Sequence, residues 1–225
     1  MTRSSNLLGV HLVSTTYGTW LPGDERGHWS PVVGPDGRLV YPVGGPNPGD
    51  PATHQRAQEW LKFAPVVWTP AEQAVVARAF GDVTSQCRYT VYAAAVRATH
   101  VHWVMGDVAD PLATVVWRFK GIAGKAVRQL RGPGSVWTDG YFKVYLFDEP
   151  QMTAALLYVE RHNLENGLAA RPWDWISEWR ERAVDRRERV RVTTPREDAG
   201  GLRDRLEIGA LSHVALAAGR ATRRV

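Results

Sequence analysis

"RYTVYAAAVRATHVHWVMGD", residues 88–107, decides how this chain folds. Two β-prone runs, 88–97 and 100–107, are separated only by Ala98 and Thr99, a gap of hairpin length. Strand side chains alternate between faces, so His100 and His102 point the same way. Two imidazoles side by side on an otherwise apolar strand have two readings. They are a pair of metal ligands, or they are structural and hydrogen-bonded within the sheet.

Towards the N-terminus, "PAEQAVVARAFGDVTSQ", residues 70–86, reads as a helix with Thr69 as N-cap and Pro70 in its first position. Residues 8–16, "LGVHLVSTT", read as a strand. Between them lies "YGTWLPGDERGHW", a turn-rich loop, and then a Pro/Gly-rich insertion over about residues 31–60.

Towards the C-terminus, a helix follows Pro111 and runs to about Arg131. At 100° per residue, Leu112, Val115, Val116, Phe119, Ile122, Ala126 and Leu130 share one arc. Arg118, Lys120, Lys125, Arg128 and Arg131 share the other, which predicts a basic outer face. A strand begins near Tyr141, and Asp148 and Pro150 open a last helix that stops at Gly167. On that helix Met152, Ala155, Leu156 and Val159 form the apolar stripe, Tyr158 and His162 sit one turn apart on its flank, and Leu157 faces away.

The order strand, helix, strand, strand, helix, strand predicts an α+β fold. It is a ferredoxin-like βαββαβ antiparallel sheet with helices on one face, plus the extra tyrosine-bearing helix. Residues 1–177 are expected to form one domain, and 178–225 a basic helical extension rich in arginine. The single cysteine, Cys87, excludes an internal disulfide and a cysteine-based zinc cage. No apolar run is long enough for a membrane span, and the N-terminus lacks a signal-peptide pattern, so the expected location is cytoplasmic. The formal net charge of +5 suits a polyanionic partner.

"HVHW" at 100–103 is similar to the His-hydrophobe-His motif of HUH endonucleases, and "LLYVERHNLENGL" at 156–168 resembles the tyrosine helix of single-tyrosine HUH transposases. The REP-associated tyrosine transposase branch is the nearest in pattern. "RFKGIAGKAV", "VWTDGYFKVYLFDEP" and "GTWLPGDERG" also resemble segments of that family, and the similarity spans about residues 8–180 without the Pro/Gly loop. The resemblance implies a DNA transposase or endonuclease that nicks and rejoins single-stranded or hairpin DNA. Tyr158 would be the nucleophile, forming a 5′-phosphotyrosine. His100 and His102 would bind a divalent metal, magnesium or manganese, that polarises the scissile phosphate.

His162 stands where the family often has a glutamine or asparagine as third ligand. Asn163 stands where proline is common. A third imidazole would shift the site towards manganese or zinc. Arg118, Lys120, Lys125 and Arg128 are expected to position phosphates, and Trp20, Trp103 or Trp117 to stack on bases. His11 is a further candidate for the same site, while Asp139 and Glu160 are read as surface residues. Gly18, Thr19 and Trp20 follow the first strand, whereas the comparable motif of some relatives precedes it, so its DNA-reading role is not carried over. The family includes monomers and homodimers. The alternatives are a domesticated hairpin-DNA-binding protein without catalysis, a replication initiator of the wider group, and a metal-dependent hydrolase that uses water.

Overall fold

The computed structural model describes residues 7–28, 32–33, 38–40 and 46–180. In chain order the elements are β1 (Gly9–Thr15), β2 (Val32–Val33), β3 (Leu39–Val40), α1 (Pro51–Glu59), α2 (Pro70–Cys87), β4 (Val91–Val96), β5 (His100–Gly106), α3 (Leu112–Arg131), β6 (Phe142–Leu146) and α4 (Glu149–Glu165). The main sheet has the order β4-β5-β1-β6 and every pairing in it is antiparallel. That is the expected ferredoxin-like arrangement. The Pro/Gly insertion is not wholly irregular: β2 and β3 pair with each other, and α1 follows, capped by the Asp50 carboxylate on the Thr53 amide. The greater part of the basic C-terminal extension, residues 181–225, lies outside the described residues.

The β4–β5 hairpin turns through Ala98 and Thr99 as expected, closed by the Arg97 amide donating to the His100 carbonyl at 2.8 Å. The turn is itself held from outside. Ala98 O accepts from the Trp68 amide at 2.7 Å, and Thr99 O accepts from the Thr16 amide at 2.8 Å. β4 carries a bulge, since Val91 pairs with Met105 but Ala93 already pairs with Val104.

Both faces of the sheet are covered, which is why the hairpin is apolar almost throughout rather than alternating. On one face Leu12, Ala94, Val101, Trp103 and Met105 pack against α2 and α3. On the other, Ala93, Ala95 and Val104 pack against Met152, Ala155, Leu156 and Val159 of α4. The small β4 residues let α4 lie close to the sheet. α2 and α3 therefore share one face, as predicted, and the tyrosine-bearing helix takes the opposite one.

α2 begins with a full capping box. Thr69 accepts from the Glu72 amide, and Glu72 accepts from the Thr69 amide at 2.8 Å. α3 departs from the predicted stripe. Val115, Val116 and Phe119 are buried, but in the second half the buried residues are Ala123, Gly124 and Val127, while Ile122 and Leu130 are exposed. The cause is Trp137, whose ring rests on Gly124. A Cβ there would meet the indole at 3.2 Å.

After α4 the chain wraps the free edge of β4. Asn163 Nδ2 donates to Ala94 O at 2.8 Å and to Ala170 O at 2.9 Å. The Ser177 amide donates to Val91 O at 2.8 Å. Trp175 seats on Gly81 of α2, while Trp179 packs edge-on against Tyr92 with ring centroids 5.0 Å apart. Among the described residues no helix is long and apolar enough to cross a membrane.

Candidate functional site

Strand alternation places His11 on β1 and His100 and His102 on β5 on the face that α4 covers. α4 brings Tyr158 and His162 down onto them, one turn apart. His102 is central. Its ring centroid lies 4.8 Å from His100, 4.7 Å from His162, 5.5 Å from Tyr158 and 5.3 Å from His11. Tyr158 is 4.6 Å from His162 and 5.9 Å from His11. The predicted set of Tyr158, His100, His102 and His162 thus meets in one place, and His11 joins it. His11 and His102 are buried, whereas Tyr158, His100 and His162 are partly open.

Each imidazole is held through a specific nitrogen. His11 Nε2 and His102 Nδ1 are 3.1 Å apart. His100 Nδ1 is 3.0 Å from Thr99 Oγ1, and His162 Nδ1 is 3.3 Å from Glu165 Oε2. His162 Nε2 and His11 Nδ1 are buried without a hydrogen-bond partner. Burial pushes His11 down to about 3, helped by the charge of His162. Burial, followed by His162, Arg97 and Arg26, brings His100 to about 3. His102 lies well below the usual histidine range because of burial and then the surrounding imidazoles. His162 is lowered by burial and Arg97, against the opposing pull of Glu165. At neutral pH the buried His11, His100 and His102 rings are therefore neutral, and a neutral imidazole has one ring nitrogen that donates and one that accepts.

The donor set suits a divalent ion, and so do the spacings about His102, 4.8 Å to His100 and 4.7 Å to His162, whereas His100 and His162 stand 6.1 Å apart. Metal–nitrogen bonds of about 2.1 Å place the centroids of neighbouring rings on one ion roughly 5 Å apart, and the orphaned His162 Nε2 is a nitrogen without an assignment. Orientation is the remaining adjustment. The His102 and His162 planes are only 19° apart and stacked, so their in-plane lone pairs do not yet meet. Accordingly, among the described residues no three His, Cys, Asp or Glu side chains already converge on one point. Rotation about the side-chain bonds of His162, on the open side of the cluster, would turn its Nε2 inward.

The basic helix is elsewhere. α3 lies across the sheet from this cluster, so Arg118, Lys120, Lys125 and Arg128 do not line it. Arg118 pairs with Asp110 and with the Tyr89 hydroxyl. Lys120 is not on an outer face: its Nζ donates to Thr138 O at 2.6 Å and Gly140 O at 2.8 Å, and burial lowers it to about 8. Lys125 and Arg128 are exposed. Trp103 is fully buried in the core and cannot stack on a base. Trp117 is exposed, and Trp20 carries the Arg26 guanidinium 3.7 Å above its ring. Asp139 is a surface residue, as read; Glu160 is largely covered and pairs with Arg171 at 2.5 Å.

The cations at the cluster are ones that sequence reasoning passed over. Arg97 donates to His162 O at 2.7 Å and faces Glu165 at 3.5 Å. Arg161 lies 5.7 Å from the Tyr158 ring centroid. Arg26 is gripped by Asp24 through two bonds of 2.7 Å, and its charge is felt at His100. Arg97 was signalled by its place at the hairpin turn, beside the His-X-His run. Arg26 carried no local signal.

No protein-family model matches the chain, and no curated protein does. Among solved structures it is similar to a candidate transposase from Deinococcus radiodurans R1, with 14% identity, 72% of this chain and 96% of the other covered, and a TM-score of 0.37. It is also similar to a REP-associated tyrosine transposase bound to a REP hairpin, with 11% identity, coverage of 74% and 73%, and a TM-score of 0.39. At these identities the overlap concerns backbone arrangement alone.

Proposed function

We propose that the chain is a single-tyrosine DNA strand-transferase, acting on single-stranded or hairpin DNA with Tyr158 as nucleophile. The observation that carries this reading is the convergence of Tyr158 and His162, from a helix, with His100 and His102, from a strand, the nearest two of them (His102 and Tyr158) being 56 residues apart in sequence. The motif resemblance points to the same residues, since it implies that the tyrosine and the histidines serve one phosphate.

In the reaction, the Tyr158 oxygen attacks the scissile phosphorus, and the bond from phosphorus to the 3′ oxygen breaks. The tyrosine hydroxyl gives up its proton as the new bond forms. The leaving 3′ oxygen gains one and departs as a hydroxyl. The product is a 5′-phosphotyrosyl protein, which a 3′-hydroxyl can attack to rejoin strands without a nucleotide cofactor.

His100, His102 and His162 would hold a divalent ion, magnesium or manganese, which when bound supplies Lewis-acid polarisation of the phosphate. Arg97, bonded to the His162 carbonyl, and Arg161, near the Tyr158 ring, would add positive charge for a phosphate held there. Lys125 and Arg128 are free to meet DNA only beyond the sheet, where a long or folded strand would reach them.

Denaturing gels after incubation with labelled single-stranded hairpin libraries and manganese or magnesium test the proposal. A protein–DNA band that disappears in Tyr158→Phe and His100→Ala is the expected result. Cleavage that persists in Tyr158→Phe would instead show hydrolysis by water. The stacked His102 and His162 rings favour one second reading, a hairpin-binding protein without catalysis. Tight hairpin binding with no covalent band under any divalent ion would establish it.

A further inference from the structure

We propose that His11 is the positioning residue of His102. Its Nε2 accepts the Nδ1–H of His102 and so fixes the tautomer that leaves the Nε2 lone pair of His102 available to a cation. This rests on the metal-site part of the proposed function and extends it to a residue outside the His-X-His motif.

The geometry is specific. β1 and β5 are paired so that His11 stands opposite Val104 and Val13 opposite His102. His11 and His102 are therefore diagonal neighbours on one face, within reach of each other across the ladder. The two nitrogens are 3.1 Å apart, and the rings are inclined by only 30°. A hydrogen bond between neutral imidazoles has one hydrogen to share. If it sits on His11 Nε2, His102 carries its own proton on Nε2 and cannot be a ligand. If it sits on His102 Nδ1, His102 Nε2 is free. Only the second arrangement is compatible with metal binding, and it requires an acceptor at the place His11 Nε2 occupies. A ligating histidine commonly has its other ring nitrogen fixed by such a partner.

Packing alone does not account for His11. It is 1% exposed, and its Nδ1 has no hydrogen-bond partner. Its strand neighbours Val10, Leu12 and Val13 are buried without polar atoms. A leucine would fill comparable space and leave no buried nitrogen unpaired.

The test uses the full chain. Mn2+ and Zn2+ are titrated separately by calorimetry into the wild type, His11→Leu, His11→Gln and His102→Ala. His11→Leu is expected to weaken binding by about 10–100-fold. His11→Gln, whose amide oxygen can accept the same N–H, is expected to keep most of the affinity. In the Zn2+-loaded wild type, nitrogen-15 spectra should show His102 protonated on Nδ1. Unchanged affinity in His11→Leu, or His102 unprotonated on Nδ1, would overturn the role of His11 while leaving the metal site intact. Failure of the wild type to bind either ion would overturn both. Should His11→Leu not fold, the glutamine variant and the wild-type spectra still decide.

Discussion

Asn163 offers a sharp test of how the site is held. It is 1% exposed, and its amide nitrogen bridges the edge of β4 to the chain after α4, through Ala94 O at 2.8 Å and Ala170 O at 2.9 Å. Its Oδ1 is buried and unpartnered. In Asn163→Ala two neutral hydrogen bonds are lost, at about 1 kcal/mol each. The Ala94 carbonyl, in a fully buried residue, is left unpaired at a further cost of about 1–2 kcal/mol. Removing the amide also removes the unsatisfied Oδ1, which returns about 1 kcal/mol. The net expectation is a loss of about 2–3 kcal/mol. Asn163→Asp keeps the shape but aims an ionised carboxylate at two carbonyl oxygens, so the loss at pH 7 rises to about 3–5 kcal/mol. That excess shrinks as the pH falls and the carboxyl protonates. Urea unfolding followed by tryptophan fluorescence measures both variants, as a midpoint shift at constant slope. A loss below about 0.5 kcal/mol in the alanine variant, or an aspartate variant no worse than alanine at pH 7, would refute the bridging role.

Three further outcomes follow from the structure. With a chelator present, stability should decline as the pH falls from 6.5 towards 3, because His11 and His100 stay neutral when folded but take up protons once unfolded. His11 alone should account for roughly 2 kcal/mol at pH 5, and urea curves that are identical at pH 7.5 and pH 5 would contradict this. Thr69→Ala removes one half of the capping box and should lower stability by about 1 kcal/mol in the same assay, with an unchanged value showing that α2 is held by packing alone. Ile122→Gln and Leu130→Gln, which the helical stripe would mark as core changes, should each fall within about 0.5 kcal/mol of the wild type, and losses of core size would show that α3 is rotated from the orientation described.

The elements that the sequence displayed most clearly are those with local chemistry: the hairpin around Ala98 and Thr99, the Thr69 cap, the Asp148–Pro150 start of α4. What it did not display was set by tertiary contacts. The periodicity of α4 identified Met152, Ala155, Leu156 and Val159 as inward, yet periodicity carries no information about which side of a sheet a helix covers. Hence the separation of the basic α3 from the histidines was not legible. The α3 stripe went astray at Ile122 because a 100° rule cannot foresee that Trp137, from the following loop, would rest on Gly124. Trp103 was offered as a stacking platform, whereas its alternation with His102 put it on the opposite face of the strand, which α2 and α3 turn out to cover. The meeting of His100, His102, His162 and Tyr158 was anticipated through motif resemblance. The closeness of His11 depended on the β1–β5 register, which only pairing across the sheet fixes.

The wrap of the chain around β4 has a consequence for where the polypeptide can be shortened. An open strand border invites a foreign strand to zip onto it. Here Asn163 occupies the outward carbonyl of Ala94, and Ser177 occupies that of Val91, so the border is hemmed by the protein's own tail. Chains cut after Trp179 keep the hem. Chains cut soon after α4, near residue 168, leave Val91 O bare and uncover Gly81 and Tyr92, and they should associate edge to edge even with every residue of the histidine–tyrosine cluster in place. The last turn of sequence before residue 180 is thus a solubility element as much as a structural one.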